Sequence, residues 1–255
     1  MWEWFVIVVY YFVLTSFSLS PAKLRQKRCN RVADMVYSSY FCSMILSDRQ
    51  YLLGLIAQGE HQQQDFKYRV QDAVKLARSV SAFANTEGGR LLIGVRDDGF
   101  LAGVRKEEEV FMMHQAAWKY CEPPSSIKFD NYRIDGRTIV VCTVLASQRR
   151  PVCALDDDGR RRAYVRIADE NIVASPVHLA IWREEQALHG AAFSYGDDER
   201  RLMEALASEP WLPLQRVVRL CRLPRPKVVA LLGRLVRYGL VSMEHREQQF
   251  LFALA

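Results

Sequence analysis

Charged residues alternate with apolar or aromatic ones between residues 64 and 70, a pattern suited to phosphate chemistry. Asp65, Lys67 and Arg69 share one phase of this alternation. A period of two is typical of a β-strand, so the three charges are expected on one face of a half-buried strand. A carboxylate beside an ammonium on a strand face occurs in metal-dependent nucleases. Two other interpretations stay open: a solvated face with a salt bridge, or phosphate contacts made by Lys67 and Arg69.

Two more carboxylates are expected close to this strand. Glu60 follows the first predicted helix, and Asp97 lies in a turn after a buried strand. The short connection from Glu60 to Asp65 brings both to one rim of the sheet, beside the turn that carries Asp97. Clustered carboxylates can hold a divalent cation, Mg²⁺ or Mn²⁺, which activates water against a phosphodiester. Arg96 adds a positive charge next to Asp97, and that charge competes with a metal.

Nucleotide binding through a P-loop has no support in the residues. Such a loop precedes a helix and contains GK[ST], so that amide groups and the positive end of the helix dipole meet phosphate. The chain contains no GK[ST], and Gly88-Gly89 follows a predicted helix. We interpret this glycine pair as a helix end and a tight entry into a strand.

The C-terminal residues include a long stretch whose charged side chains are all basic. No acidic residue occurs between Glu209 and Glu244, whereas residues 45–196 contain equal numbers of acidic and basic side chains. Helix-turn-helix proteins use basic groups on phosphates and insert their second helix into the major groove. A protein-interaction or dimerisation module is the alternative. The predicted nucleic-acid contacts here are Arg222, Arg225, Lys227, Arg234 and Arg237.

The elements that position these residues mix helices and strands, which predicts an α+β fold. Four helices and five strands are expected in residues 45–188, with helices over 48–57, 71–86, 107–120 and 175–188 and strands over 64–70, 90–95, 127–134, 137–145 and 162–167. Residues 189–196 are small and flexible in composition, as in a linker. Residues 197–255 predict three helices and then two short strands, which is the order of a winged helix.

Three sequence runs resemble the Schlafen AlbA-like domain, also described as a divergent AAA ATP-binding domain. They are GEHQQQDFK, SAFANTEGGRLLIGVRDDGFLAGV and AYVRIAD. The resemblance extends over about residues 48–185 and implies a mixed sheet with helices. Bacterial members similar to this chain are described as DNA-binding or ATP-binding proteins, often with a winged helix behind the domain.

The resemblance also implies site residues. Vertebrate relatives are described as ribonucleases with clustered carboxylates, and the matching positions are Glu60, Asp65 and Asp97. Glu60 and Asp65 would be the metal ligands. Where the family commonly has GVDD, this chain has Arg96 at an acidic position, which puts cleavage in doubt.

These observations favour a cytoplasmic DNA-binding transcriptional regulator. The alternatives are a metal-dependent endoribonuclease acting on RNA, and an ATP-binding protein as the family description implies. The six cysteines form no CxxC pair and have no zinc-ligand spacing, which fits a reducing cytoplasm. A homo-oligomer is compatible with either nucleic-acid role.

Residues 1–44 form an apolar and then basic extension with two interpretations. An uninterrupted apolar run covers residues 5–14, which is short for a membrane-spanning helix of about 20 residues. Met44 precedes a capped helix and is suited to be the natural start, so we favour upstream sequence translated from an early start codon. The alternative is a membrane anchor through residues 2–19, and membrane contact is expected only through residues 1–20.

Overall fold

A computed structural model of the chain describes residues 47–104, 107–156, 158–186 and 195–255. The N-terminal extension and most of the predicted linker lie outside these ranges, so both interpretations of the extension stay predictions. The described part is mixed α+β, with seven helices and three sheets. No helix in the described ranges is long and apolar enough to cross a membrane.

The first sheet has the strand order β1-β2-β5-β4. Strands β1 (Gln64–Lys67) and β2 (Gly89–Ile93) are parallel, and helix α2 (Ala73–Asn85) connects them. Strands β4 (Ile127–Ile134) and β5 (Arg137–Val144) form the predicted hairpin, and β5 also pairs with β2. Helix α1 (Asp48–Ala57) packs Leu52 and Leu55 against one face of this sheet. The other face contacts α2 and α3 (Glu107–Trp118) through the largest apolar core.

The second sheet was only partly predicted from the sequence. Its order is β3-β6-β7-β8, with β3 (Cys121–Glu122), β6 (Cys153–Leu155), β7 (Arg161–Ile167) and β8 (Glu170–Val173). Only β7 was expected, because the other three strands have two to four residues and are too short to establish a period. Helix α2 contacts both sheets.

Two buried polar residues of α2 attach the helix to the second sheet. Asn85 donates to the carbonyl oxygens of Val152 and Tyr164, at 2.8 and 2.9 Å, and accepts from the Val152 amide at 2.7 Å. Ser81 donates to the Val152 carbonyl and accepts from the Tyr164 amide. The polar residues of this helix therefore satisfy backbone groups that would otherwise be buried without partners.

The glycine pair after α2 has a packing reason. Gly88 has φ +77°, and a Cβ there would lie 2.9 Å from the carbonyl oxygen of Val144. A Cβ on Gly89 would lie 2.3 Å from the ring of Phe83. The Gly88 amide also donates to the Phe83 carbonyl, which closes the helix end. Close backbone approach explains both glycines without a phosphate.

The C-terminal segment, residues 197–255, has the predicted order of three helices and a hairpin. Its elements are α5 (Asp197–Ser208), β9 (Leu212–Pro213), α6 (Leu214–Cys221), α7 (Arg225–Arg237), β10 (Val241–Arg246) and β11 (Gln249–Leu254). The short strand β9 was not predicted; it pairs with β11 to give a three-stranded sheet. Apolar residues of all three helices share one core with Phe252 of β11.

Helix α4 (Pro176–Glu185) packs against both the second sheet and the C-terminal segment. Its Val177 belongs to the core of the C-terminal segment, whereas Trp182 packs with Ala163 and Val165 of β7. A Cβ on Gly233 of α7 would lie 3.0 Å from the Cβ of Ala180. Glycine therefore lets α7 approach α4 closely, so one side of α7 is covered by this helix and another by its own core.

Candidate functional site

A polar run at residues 60–64 leads into β1. Its glutamine side chains anchor it to neighbouring backbone groups. Gln64 is fully buried and donates to the carbonyl oxygens of Leu55 and Gly59, at 2.6 and 2.8 Å. Gln62 donates to the Arg166 carbonyl at 2.6 Å and accepts from the Ala168 amide at 2.9 Å. These bonds fix the chain between α1 and β1 against β7, so the residues that follow have a defined position.

Asp65 lies in the interior rather than on a solvated face. Its side chain is 6% exposed, and one carboxylate oxygen lies 2.7 Å from Lys67 Nζ. Its other oxygen lies 3.4 Å from Nη2 of Arg166, whose side chain is 1% exposed. The expectation of a charged strand face open to solvent is wrong at this residue, because the second sheet covers it. The salt-bridge interpretation of Asp65 and Lys67 describes the contact that is present.

Arg69 lies outside strand β1, which ends at Lys67. The expected alternation therefore does not continue as a strand to residue 70. The Arg69 guanidinium donates to the hydroxyl of Tyr68 at 3.1 Å and lies 4.9 Å from the centre of its ring. Lys67 donates to the Phe66 carbonyl as well as pairing with Asp65. Of the two residues predicted to contact phosphate here, Lys67 is already bound to a carboxylate.

Glu60 and Asp65 are brought together, as the short connection predicted. The Glu60 carboxylate accepts a bond from the Phe66 amide at 2.7 Å. Burial raises the pKa of Glu60 above its ordinary value, and the hydrogen bond with Asp65 raises it further. A carboxyl group beside a carboxylate favours its protonated form because two negative charges so close repel each other. The pair is therefore suited to hold a proton.

Asp97 does not join this pair in a metal-binding group. Asp97 is exposed, and the neighbouring Arg96 pairs with Asp98 at 2.8 Å. Among the residues in the described ranges, no three His, Cys, Asp or Glu side chains are grouped so as to hold a metal. Glu60 and Asp65 supply two carboxylates, and Asp65 is already paired with Lys67 and Arg166. This arrangement does not fit a divalent cation.

Two of the basic residues predicted to contact nucleic acid are used inside the C-terminal segment. Arg234 of α7 binds Glu199 of α5 at 2.8 Å, and the Glu199 side chain is 9% exposed. Glu199 also accepts from the Gly196 amide at 3.0 Å. Lys227 of α7 forms an ion pair with Asp198. These pairs tie the start of α5 to α7 and neutralise both cations.

The other three predicted contacts in this region face solvent. Arg222 has φ +55° in the turn between α6 and α7, and Arg225 and Arg237 mark the two ends of α7. All three are exposed, as is Arg219 of α6. Within the part of the chain that the structure describes, no carboxylate pairs with any of these four arginines.

Comparison with known families assigns the domain that contains the Glu60–Asp65 pair. The model of the family described as "Schlafen, AlbA_2" matches residues 60–175. These residues form a Schlafen AlbA-like domain. The match includes the polar run before β1, the α2–β2 unit with its glycine pair, and β7.

A crystal structure of the DIP2311 protein from Corynebacterium diphtheriae is also similar to the chain. The identity is 20% and the TM-score 0.40, over 74% of this chain and 34% of that one. The chain thus spans about a third of the length of that protein. Among curated proteins, none matches the chain. The family match supports a function related to nucleic acid in general and does not distinguish DNA from RNA.

Arg166 is the residue of the AlbA-like domain that sequence reasoning missed. It donates to the Asn171 side chain at 3.0 Å and to the Gln64 carbonyl at 3.3 Å. Its guanidinium lies 5.1 Å from the centre of the Phe83 ring. The sequence signal that could have identified Arg166 is its position in the run AYVRI, where it is a single arginine among apolar residues. An arginine so placed needs a buried acceptor, because a buried charge without a partner is strongly unfavourable.

Proposed function

We propose that the protein is a DNA-binding transcriptional regulator whose C-terminal segment is a winged helix. The proposal rests on one observation. The α6–turn–α7 unit presents arginines that are exposed and have no carboxylate partner in the described ranges, namely Arg219, Arg222, Arg225 and Arg237. Unpaired surface cations in a region without acidic residues attract the phosphates of a duplex and release its counterions.

The spacing of these arginines suits a duplex backbone. Arg225 and Arg237 bound the 13-residue helix α7, so their Cα atoms are about 18 Å apart at 1.5 Å per residue. In helix-turn-helix proteins the second helix enters the major groove while flanking groups hold the phosphates. Here Arg222 in the turn and the two end arginines are assigned to phosphates. Exposed Ala230 lies between the two end arginines on α7.

The ion pairs of Lys227 and Arg234 change which residues are assigned to DNA. Both were predicted contacts, yet each is bound to a carboxylate of α5. Binding DNA through them would require those pairs to open. We therefore assign Lys227 and Arg234 to holding α7 in place, and the unpaired arginines to the nucleic acid.

Fluorescence anisotropy with labelled duplex DNA at several salt concentrations tests this function. Replacing Arg222, Arg225 and Arg237 with alanine should weaken binding and reduce the slope of log K against log salt by about 0.9 for each phosphate that is no longer bound. Arg133→Ala is the matched control, because Arg133 is an exposed arginine on β4. Unchanged binding in the triple variant, or no DNA binding by the wild-type protein, would contradict the proposal and favour a protein-interaction module.

Metal-dependent cleavage of RNA is the second candidate function. The contact between Glu60 and Asp65 favours it, since paired carboxylates occur in sites that hydrolyse phosphodiesters. It stands second because Lys67 and Arg166 already compensate Asp65. We do not propose ATP binding, because the glycine pair Gly88-Gly89 has a packing reason.

A further inference from the structure

A cavity of about 290 Å³ lies where α4, α6 and β11 meet. The first turn of α4 lines it with Ser175, Pro176 and Val177, and the start of α6 with Leu214 and Gln215. Its size is near the lower end of the range for small-molecule sites. The cavity does not include the Glu60–Asp65 pair, and the α7 residue that lines it is Arg225.

The charge of this cavity is positive. Three arginines line it, Arg216, Arg219 and Arg225, and none of the lining residues that the structure describes is acidic. Arg216 is bound to Glu209 at 2.6 Å, whereas Arg219 and Arg225 have no carboxylate partner within the described ranges. The first turn of α4 contributes the positive end of its helix dipole. Two free guanidinium groups at one cavity are suited to a phosphate, which they can bind with paired hydrogen bonds.

The rest of the cavity wall is formed by aromatic rings and side-chain amides. Phe250 and Phe252 line the cavity together with Gln249 and Gln215. Phe252 is buried in the core, while Phe250 is only partly buried. Aromatic rings favour flat apolar groups, and side-chain amides can donate to and accept from the edge of a heterocycle. The lining thus combines groups for a phosphate with groups for a flat ring.

We propose that this cavity binds a nucleotide, with its phosphate on Arg219 and Arg225 and its base against Phe250. The nucleotide is either a free molecule or one unit of a nucleic-acid strand. Arg219 and Arg225 also belong to the surface that the proposed function assigns to duplex DNA. A phosphate on Arg225 in the cavity therefore competes with a duplex phosphate, and a free nucleotide acts as an effector that lowers DNA affinity. This second part rests on the proposed function.

Calorimetric titration of the full chain with adenosine monophosphate tests the cavity without any DNA. Saturable binding is expected, together with much weaker binding of adenosine and of inorganic phosphate, since each offers only half of the interactions. Arg219→Ala should reduce the affinity by about tenfold to a hundredfold, the usual effect of losing a hydrogen bond to a charged group. Arg133→Ala is the matched control: this exposed arginine of β4 does not line the cavity, and its replacement should leave the affinity unchanged.

Thermal melts of both variants establish that the fold is retained, and Arg219→Gln provides a second replacement of similar length. No saturable binding of the nucleotide by the wild-type protein overturns the proposal. Binding that Arg219→Ala and Arg219→Gln both leave unchanged also overturns it.

The source of the nucleotide is distinguished with duplex DNA and with a short single strand that ends in a phosphate. Release of bound duplex by adenosine monophosphate supports the effector role. Tighter binding of the single strand than of the free nucleotide, abolished in Arg219→Ala, supports a strand unit. If the nucleotide binds and duplex DNA does not, the cavity stands and the proposed function fails. If duplex DNA binds and neither nucleotide nor single strand depends on Arg219, the cavity assignment fails alone.

Discussion

Arg166 of β7 reaches across the AlbA-like domain to Asp65 of β1, with 3.4 Å between Nη2 and the carboxylate. The two residues belong to different sheets, so a buried ion pair joins them. Removing one partner of such a pair leaves the other charge buried and uncompensated. The pair is therefore a structural link between the sheets, whatever else the carboxylate does.

This link gives a prediction for stability. Arg166→Ala and Asp65→Ala should each lower the free energy of unfolding by about 3–5 kcal/mol. Asp98→Ala is the matched control, since the Arg96–Asp98 pair is exposed and such a pair contributes at most about 1 kcal/mol. Urea denaturation followed by circular dichroism measures all three. A decrease below about 1 kcal/mol in both buried variants would mean that the pair does not hold the sheets together.

Replacing Glu60 should have the opposite effect on stability, an increase in the free energy of unfolding at neutral pH. The raised pKa of Glu60 means that the folded protein binds the proton more tightly than the unfolded chain does. The stability from this group is complete below the ordinary Glu pKa of 4.5 and is lost as the pH rises through the folded pKa. Glu60→Gln keeps an oxygen for the Phe66 amide and cannot ionise.

The Glu60→Gln protein should therefore equal the wild type in stability at pH 4 and exceed it at pH 7. Unfolding curves at several pH values measure the difference, and Glu87→Gln serves as a control for general charge effects. A variant that is less stable than the wild type at pH 7 would show that the ionised form of Glu60 is the one required.

His178 provides a pH dependence in the acidic range. Burial lowers its pKa to about 4, and its Nδ1 lies within hydrogen-bond distance of the Ser175 amide and hydroxyl. The folded state therefore disfavours the protonated ring. The stability that depends on the neutral ring is present above the unfolded pKa of 6.5 and decreases as the pH falls toward 4.

Lowering the pH from 7 to 5 should cost about 2 kcal/mol through His178, at about 1.4 kcal/mol for each pH unit below the unfolded pKa. In His178→Gln the amide oxygen can accept the same Ser175 amide bond without titrating, so this part of the pH dependence should vanish. His114→Gln is the control. An identical pH profile in the wild type and His178→Gln would contradict the assignment.

The sequence predicted helices and strands more accurately than contacts between side chains. The helices and longer strands have strong periods, and the capped starts and glycine ends lie close to where they were expected, as for α1 and β5. Strands of two residues such as β3 and β9 carry too little pattern to be predicted. The proximity of Glu60 and Asp65 followed from their short separation along the chain. Arg166 lies about a hundred residues away from Asp65, and only the pairing of two sheets brings them together.

The same limit applies to the basic C-terminal segment. Counting charges identified Lys227 and Arg234 together with Arg225 and Arg237, because charge along the chain does not reveal partners in space. Helix α5 brings Asp198 and Glu199 to two of the four. The distinction between a cation that binds DNA and one that holds a helix is a tertiary property.

That distinction predicts different effects for two arginines of one helix. Arg234→Ala removes the partner of the nearly buried Glu199, and we expect a decrease of about 1–3 kcal/mol in unfolding free energy. Arg237→Ala should leave stability within about 0.5 kcal/mol but reduce duplex binding. Denaturation and anisotropy on both variants separate the roles. An equal decrease of stability in the two, or a DNA defect confined to Arg234→Ala, would contradict the assignment.

We expect no catalysis at the Glu60–Asp65 pair. Among the described residues, Glu60 and Asp65 are the two carboxylates that meet here. Lys67 and Arg166 place positive charge beside Asp65. A divalent metal would have to displace these contacts, and Asp97 is exposed outside the pair. Structured RNA incubated with the wild-type protein and manganese should therefore remain intact, as should duplex DNA.

The decisive comparison uses Glu60→Gln rather than Asp65→Ala alone, because loss of Asp65 is expected to destabilise the fold. Manganese-dependent cleavage by the wild type that disappears in Glu60→Gln, with a melting temperature no lower than that of the wild type, would establish the pair as catalytic and reverse the order of the two candidate functions. Intact RNA with the wild type, combined with RNA or DNA binding that Arg69→Ala weakens, would make the end of β1 a contact surface instead. The positive charge around Asp65 is the physical reason to expect intact RNA.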